Sequence, residues 1–450
     1  MRPFRLSRES GDMNKMKGLA LIMGLIWLAA CGGSAENPAT PAVVEQTRAG
    51  AVTGAQTTPP SAPTVVPTLP PPVIVNPADQ GGTPVAEARP QPVAPWPADR
   101  FGYGAQSHAT IGDPAFTMTV MHEQLGLDWV KVQMRWADVQ ASPDTYYWDI
   151  WDSVLREAQN HALHVLLSVV TAPEWTRAAA NRAGPPDDNT LYNNFLTALL
   201  TRYPGQIHAI EVWNEQNIDR EWTTPNGLSP LDYVNFLAGA YQTIKSIDPT
   251  IIVISGALSP TGIHDFNRVT SMDDFIYLDE ALAAGMLDYA DCVGAHHNGY
   301  NLPPDVGWEE VDRAGSSDGF IFKGPWANPH HSWSFKSTVD IYADKVQAID
   351  ASKKVCVTEF GWGSSEGYDT FPAGFEFFQD NSLEKQAAYI VQAFQQMHDS
   401  GRVWLAFLFN YDYGNKGNGP TDDAVPYSLI TLDGSPRPAF FAVAEMEKRP

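Results

Sequence analysis

Two segments place a carboxylate where it can do chemistry. One apolar run ends Ile210-Glu211-Val212-Trp213-Asn214-Glu215, and a later one ends Val357-Thr358-Glu359-Phe360-Gly361-Trp362. Two carboxyl groups facing one cleft are the equipment for splitting a glycosidic bond. One, protonated, donates to the leaving oxygen, while the other, ionised, attacks or stabilises the anomeric carbon. Their surroundings must hold their pKa values apart so that both protonation states coexist near neutrality. All of this requires a fold that brings Glu215 and Glu359 to the same mouth.

The rest of the chain supplies such a fold. Short apolar runs lie at 101–106, 129–134, 163–170, 209–213, 251–257, 292–295, 354–358 and 403–409. Eight buried strands with helices between them predict a closed parallel (β/α)8 TIM barrel of the α/β class. The runs are continuously apolar rather than alternating, as expected when helices cover one face and the barrel interior the other. Between them, 149–161 carries Ile150, Val154, Leu155 and Ala158 on one predicted helical face, and 190–203 carries Leu191, Phe195 and Leu199. Ser229-Pro230-Leu231-Asp232 reads as a helix start, with a serine N-cap and proline at the first helical position. No glycine-rich phosphate loop follows the first run, which weakens a nucleotide-binding reading. In a barrel of this kind the chemistry belongs at the C-terminal ends of the strands, where both glutamates fall.

On these residues the chain resembles clan A glycoside hydrolases. Asn214-Glu215 after the fourth strand is similar to their acid/base motif, and Thr358-Glu359-Phe360-Gly361 after the seventh to their nucleophile motif. Trp136, the Tyr147-Trp148-Asp149 segment and Ala172-Pro173-Glu174-Trp175 resemble the cellulase-like and family 39 (β-xylosidase-like) branches. Ser428-Leu429, Asp433-Gly434 and Pro436-Arg437-Pro438 resemble their closing segment. The resemblance implies a retaining hydrolase, with Glu215 as acid/base, Glu359 as nucleophile and Asn214 on the sugar 2-hydroxyl. Glu211, Glu174 and Asp412 are rival carboxylates, read as structural or substrate-contacting.

The chain departs from the family pattern at several places. His296 ends the sixth strand, as either a substrate contact or a satisfied core histidine, and His297-Asn298-Gly299-Tyr300 follows instead of Pro-Tyr. Near the nucleophile, where an arginine is usual, the second strand offers Lys131 in that register or Arg135 beyond it. The eighth strand ends Phe409-Asn410-Tyr411-Asp412-Tyr413 instead of in tryptophan, making Asn410 and Asp412 candidate polar contacts. Trp175, Trp222, Trp308, Trp326, Trp333 and Trp362 are placed in loops near the mouth. There they either stack on pyranose rings or hold the loops down. The long stretch 298–336, rich in Trp, Gly, Pro and His, is expected to shape the cleft. Expected substrate contacts are thus Asn214, His296, Lys131, Arg135, Trp175, Tyr300, Trp362 and Asn410.

The remaining sequence frames this domain. Arg5, Arg8, Lys15 and Lys17 precede an apolar run that ends Leu28-Ala29-Ala30-Cys31. The run is too short to span a bilayer and reads as a secretory signal over 1–30. Leu28-Ala29-Ala30-Cys31 resembles a bacterial lipobox, which implies a lipidated Cys31 and an anchored, extracytoplasmic protein; ordinary secretion is the alternative. Residues 31–98 are Pro-, Thr- and Ala-rich with few aromatics, the composition of an extended disordered tether, and 99–450 form the catalytic domain. The formal net charge of −23 argues against nucleic acid as a partner. Cys292 and Cys356 are read as buried thiols in preference to a disulfide or a reactive site. No spacing of His, Cys or carboxylates marks a zinc site; no cofactor is expected, and a monomer is. The expected partners are an oligosaccharide or polysaccharide and, through Cys31, a membrane. Two other classes remain: a carbohydrate-binding lipoprotein on a dead barrel, and a scaffold displayed on its stalk.

Overall fold

A computed structural model describes residues 93–179, 183–311, 321–324 and 330–450. The signal, Cys31, nearly all of the tether and Trp326 therefore lie outside the described residues. Eight parallel strands close into a barrel in sequential order. They are β1 (Gly102–Gln106), β2 (Trp129–Arg135), β3 (His164–Val170), β4 (Ala209–Val212), β5 (Ile252–Ser255), β6 (Cys292–Gly299), β7 (Lys354–Trp362) and β8 (Val403–Leu408). The helices are α1 (Pro114–Thr119), α2 (Trp136–Val139), α3 (Asp149–Asn160), α4 (Asn189–Arg202), α5 (Pro230–Ile247), α6 (Asp274–Ala283), α7 (Phe335–Ile349), α8 (Leu383–Ser400) and α9 (Pro438–Glu445). Among the described residues no helix is long and apolar enough to cross a membrane.

The two-residue period of a strand explains how the barrel positions its site. Outward residues such as Val130, Val132, Leu167, Ile210, Val253 and Val355 pack under the helices. Inward residues form a separate apolar plug of Trp129, Leu166, Ala209, Ile252, Cys292, Cys356, Leu405 and Phe407. Trp96 joins that plug, its ring edge-on to Trp129 at 5.6 Å, so packing begins slightly before residue 99. The plug leaves no room in β1: a Cβ on Gly104 would lie 2.5 Å from the Phe407 ring, and one on Gly102 2.6 Å from Leu405. Two residues further along three strands, the same inward face carries Lys131, Ser168 and Glu211, all fully buried. The interior thus changes from apolar to ionic one step up the barrel.

Helix boundaries follow local chemistry. The Ser229 hydroxyl accepts from the Asp232 amide at 3.2 Å, with Pro230 opening α5. In α3 the buried stripe is Trp151, Val154, Leu155 and Ala158, whereas Ile150 is exposed, so the predicted face is rotated by one residue at the first turn. Strands β6 and β7 run past their predicted ends at 295 and 358. Their ladder continues through polar residues that hydropathy reads as loop, with a register shift that sets His296 opposite Glu359.

One expectation is corrected. Cys292 and Cys356 are a disulfide, with Cα atoms 5.9 Å apart. Burial was legible for each cysteine, but the pairing depends on two inward positions of neighbouring strands, β6 and β7, meeting inside the barrel. Closing a loop with a sequence separation of 64 contributes about 2–4 kcal/mol by chain entropy. A double Cys292→Ala/Cys356→Ala variant is expected to lose that amount in denaturant unfolding; an unchanged midpoint and slope would contradict it.

Candidate active site

Glu215 and Glu359 arrive from opposite directions of the barrel wall. Glu359 lies within β7, whereas Glu215 follows the end of β4, its amide donating to the Ala257 carbonyl at 2.8 Å. The turn that presents it is strained: Trp213 has φ 77° and Glu215 φ 46°, left-handed values for residues with a Cβ. Such conformations cost on the order of 1–3 kcal/mol each and cluster at functional sites. Both glutamates are buried, at 6% and 3% exposure.

His296 joins them. Its Nδ1 lies 3.2 Å from Glu215 Oε1 and 3.9 Å from Glu359 Oε2, so the two carboxylates flank a single nitrogen. Lys131 lies on the other side of Glu359, donating to Oε1 at 2.9 Å and to the Thr358 carbonyl at 3.1 Å. Its ammonium is also 3.5 Å from Glu211. Glu211 accepts from the Ser168 hydroxyl, from Thr358 Oγ1 at 2.7 Å and from the Ala257 amide at 3.2 Å. That makes it the buried counter-charge of the centre. Of the two strand-two candidates, Lys131 meets Glu359, while Arg135 pairs with Asp138 at 3.1 Å on the partly exposed rim.

Two partners escaped sequence reading. Arg220 donates to Glu215 Oε2 at 2.8 Å from the loop that follows β4, and Asn298 Nδ2 lies 3.4 Å from Glu359 Oε2. A signal for Asn298 existed: it stands two residues after His296 on one strand, hence on the same face. Arg220 had none beyond its nearness in sequence to Glu215. Asp423, from the loop after β8, is 5% exposed, and no described donor reaches its Oδ1.

The electrostatics follow from these contacts. Burial pushes Glu215 toward neutrality, but the His296 hydrogen bond and the Arg220 charge outweigh it and pull its pKa from 4.5 to about 2. Burial likewise works against a charged His296, yet Glu359 and the hydrogen bond to Glu215 prevail and raise it. Glu211 is lowered, with Lys131 and His296 overcoming its burial. Asp423, by contrast, is driven up to about 6, chiefly by burial.

Several expected contacts are placed elsewhere, either with their polar atoms already bonded or with their rings buried in aromatic packing. Trp362 is fully buried, its indole donating to the Leu302 carbonyl at 2.8 Å, and Trp222 packs edge-on to Trp213 and Tyr233. Tyr300 sits in a loop core with Phe322 and Phe377. Asn410 donates to the Ala424 carbonyl and accepts from the Tyr413 amide. Trp175 is half-buried, donating to the Gln140 carbonyl at 3.2 Å. Trp333 is buried and stacks on Phe322, and Trp308 is half-buried beside it. Asp412 binds Ser107, the His108 amide and Lys416, which fastens the β1 and β8 loops together. Glu174 is exposed. His297 Nε2 donates to the Ser332 carbonyl at 3.0 Å, and burial pulls its pKa down to about 4.

No protein-family model and no curated protein matches the chain. Among solved structures it is similar to a family 39 glycoside hydrolase from the gut symbiont Bacteroides cellulosilyticus WH2, at 19% identity and TM-score 0.54 over 77% of this chain and 63% of that one. It is also similar to a glucosidase from Croceicoccus marinus, at 14% identity and TM-score 0.52 over 79% and 66%. The chain spans less than two thirds of either protein. The shared feature is the (β/α)8 barrel. That likeness agrees with the barrel expected from the eight apolar runs.

The Arg220 contact yields a direct test. Glu215 is depressed in the folded state, so its stabilising contribution is present above about pH 4.5 and is lost as pH falls toward 2. Replacing Arg220 with Gln is expected to raise the Glu215 pKa by about 1–3 units, read by carboxyl-carbon NMR titration. An unmoved Glu215 titration would show that Arg220 does not set its charge.

Proposed function

We propose that the protein is a retaining glycoside hydrolase acting on an oligosaccharide or polysaccharide outside the cell membrane, with β-linked sugars as the expected class. The observation that carries this reading is the placement of Glu215 and Glu359 on either side of His296 Nδ1, at 3.2 and 3.9 Å. Carboxylates sharing one nitrogen are near enough to act on one glycosidic bond, and the retaining course is taken from the motifs that Asn214-Glu215 and Thr358-Glu359 resemble. Glu359, beside Lys131, is the nucleophile. Glu215 is the acid/base: it protonates the leaving oxygen, then takes the proton of the water that releases the sugar.

In the free protein Glu215 is ionised, so acid catalysis requires a proton to reach it. The His296–Glu215 hydrogen bond supplies the route, and displacement of Arg220 by the entering sugar removes the charge that opposes protonation. Gln106 Oε1, Asn214 Oδ1, Asn298 Oδ1 and Asp423 Oδ1 are buried acceptors with no described donor. Sugar hydroxyls are donors of the kind such atoms lack, which supports Asn214 as the partner of the 2-hydroxyl.

The Cys292–Cys356 disulfide suits an oxidising compartment and supports export. Lipid on Cys31 would hold the enzyme at the extracytoplasmic face of a membrane, with the Pro-rich tether as spacer. Mass spectrometry of the mature N-terminus is expected to find diacylglycerol on Cys31; an unmodified residue there would mean plain secretion.

The catalytic roles separate by leaving group. Glu215→Ala is expected to slow hydrolysis of alkyl glycosides by about 10²–10⁴-fold. With a dinitrophenyl leaving group, which needs no proton, it should keep its first step and show a burst. Glu359→Ala is expected to lose both reactions. Full activity in either variant on alkyl glycosides would overturn the assignment.

A further inference from the structure

Away from the glutamates, two adjacent histidines meet two adjacent aspartates from a segment 57 residues earlier in the chain. Asp273 is the N-cap of α6: its Oδ1 accepts from the amides of Phe275 and Ile276 at 2.9 and 3.1 Å, leaving Oδ2 to face His330 Nε2. The other nitrogen of that ring, Nδ1, lies 2.7 Å from Ser332 Oγ and 3.2 Å from its amide. His331 directs Nε2 to Asp274, at 3.0 and 3.2 Å, and the Tyr342 hydroxyl holds Asp274 at 3.0 Å. The two imidazole rings are 3.9 Å apart, centre to centre. One ligating atom each from Asp273, His330 and His331 lies within 4.8 Å of the others. Asp273 and His331 are largely buried, and Asp274 completely.

We propose that Asp273, His330 and His331 form a binding site for a zinc-class divalent transition metal, which clips the segment leading into α7 to the N-terminus of α6. The donor set decides the class. Two imidazoles and one carboxylate suit Zn²⁺ and its transition-metal neighbours, with solvent as a fourth ligand, whereas Ca²⁺ and Mg²⁺ ask for oxygen ligands. The surroundings are arranged as outer-shell support. Asp274 takes the Nε2 proton of His331 and leaves Nδ1 with its lone pair, and Tyr342 fixes Asp274 in turn; such carboxylate–histidine pairs orient a ligand and raise its basicity. In the free His330 ring Nδ1 accepts from the Ser332 amide and the proton lies on Nε2, toward Asp273; when a metal takes Nε2 that proton moves to Nδ1, where Ser332 Oγ accepts it. Linear spacing hid the site, because the two halves are distant in sequence.

The site is separate from the catalytic centre: among the described residues, no hydrogen bond or ion pair joins its three ligands to Glu215 or Glu359. It is linked to the barrel through the Ser332 carbonyl, which accepts from His297 Nε2, and through Met272, bonded to Asn217 after β4. A bound metal therefore acts on stability, by binding the folded state and not the unfolded one.

The test uses untagged full-length protein, stripped with a chelator and titrated with ZnCl₂ by calorimetry, with Tm followed in parallel. One zinc per chain and a rise in Tm are expected. Asp273→Asn and His330→Gln, checked for native circular dichroism, should lose most of the binding and the Tm response. Asp274→Asn should weaken affinity by about 10–100-fold, while His398→Ala, at a half-buried histidine paired with Asp399, should leave it unchanged. No zinc uptake by the stripped protein, or uptake undiminished in both Asp273→Asn and His330→Gln, would overturn the proposal.

Discussion

Three carboxylates stand buried at the top of one barrel, and the structure depends on their charges being answered. Glu211, Glu215 and Glu359 face Lys131, Arg220 and His296 within a shell that water barely enters. Removing an ion from water costs on the order of several kcal/mol, and close opposite charges with further hydrogen bonds are what offset it. The strand-two position illustrates the constraint. A lysine ammonium has three donors on a compact head, and Lys131 reaches Glu359, Glu211 and the Thr358 carbonyl together. A guanidinium would match one carboxylate with its planar fork, a different geometry. The apolar plug beneath the ionic layer, closed by Trp129, Phe407 and the Cys292–Cys356 bond, keeps that network rigid.

The same network determines how protons are held. Glu215 is lowered and His296 raised because the bond between Oε1 and Nδ1, with Arg220 and Glu359 beside it, favours the charged form of each. The strained turn at Trp213 and Glu215 aims the carboxylate into this arrangement and not along the strand. A site that holds its carboxylates ionised can supply a proton only when an incoming group disturbs the balance. Arg220, on a loop and partly exposed, is the member most able to move.

Much of the fold was legible because burial in a barrel is written as runs of apolar residues, and eight of them are visible from 101 to 409. Glu215 and Glu359 were legible because they end two such runs in recognisable motifs. What the chain did not disclose depends on neighbours distant in sequence. Lys131 and Arg135 were indistinguishable until β2 was set against β7. Cys292 and Cys356 each looked like an inert thiol until their strands became adjacent. Trp362, Tyr300 and Asn410 looked available at strand ends, but their polar atoms or rings are engaged by Leu302, Phe377 and Ala424. Arg220 sits in a polar loop with no periodicity to mark it.

The central claim is that Glu359 forms a covalent bond to the sugar while Glu215 manages the proton. Mass spectrometry of protein incubated with a panel of activated 2-deoxy-2-fluoro β-glycosides tests it most directly, since fluorine slows release of the intermediate. The account predicts a sugar adduct on the peptide containing Glu359. An adduct on another carboxylate, or none in a protein that turns over the parent glycosides, would contradict it.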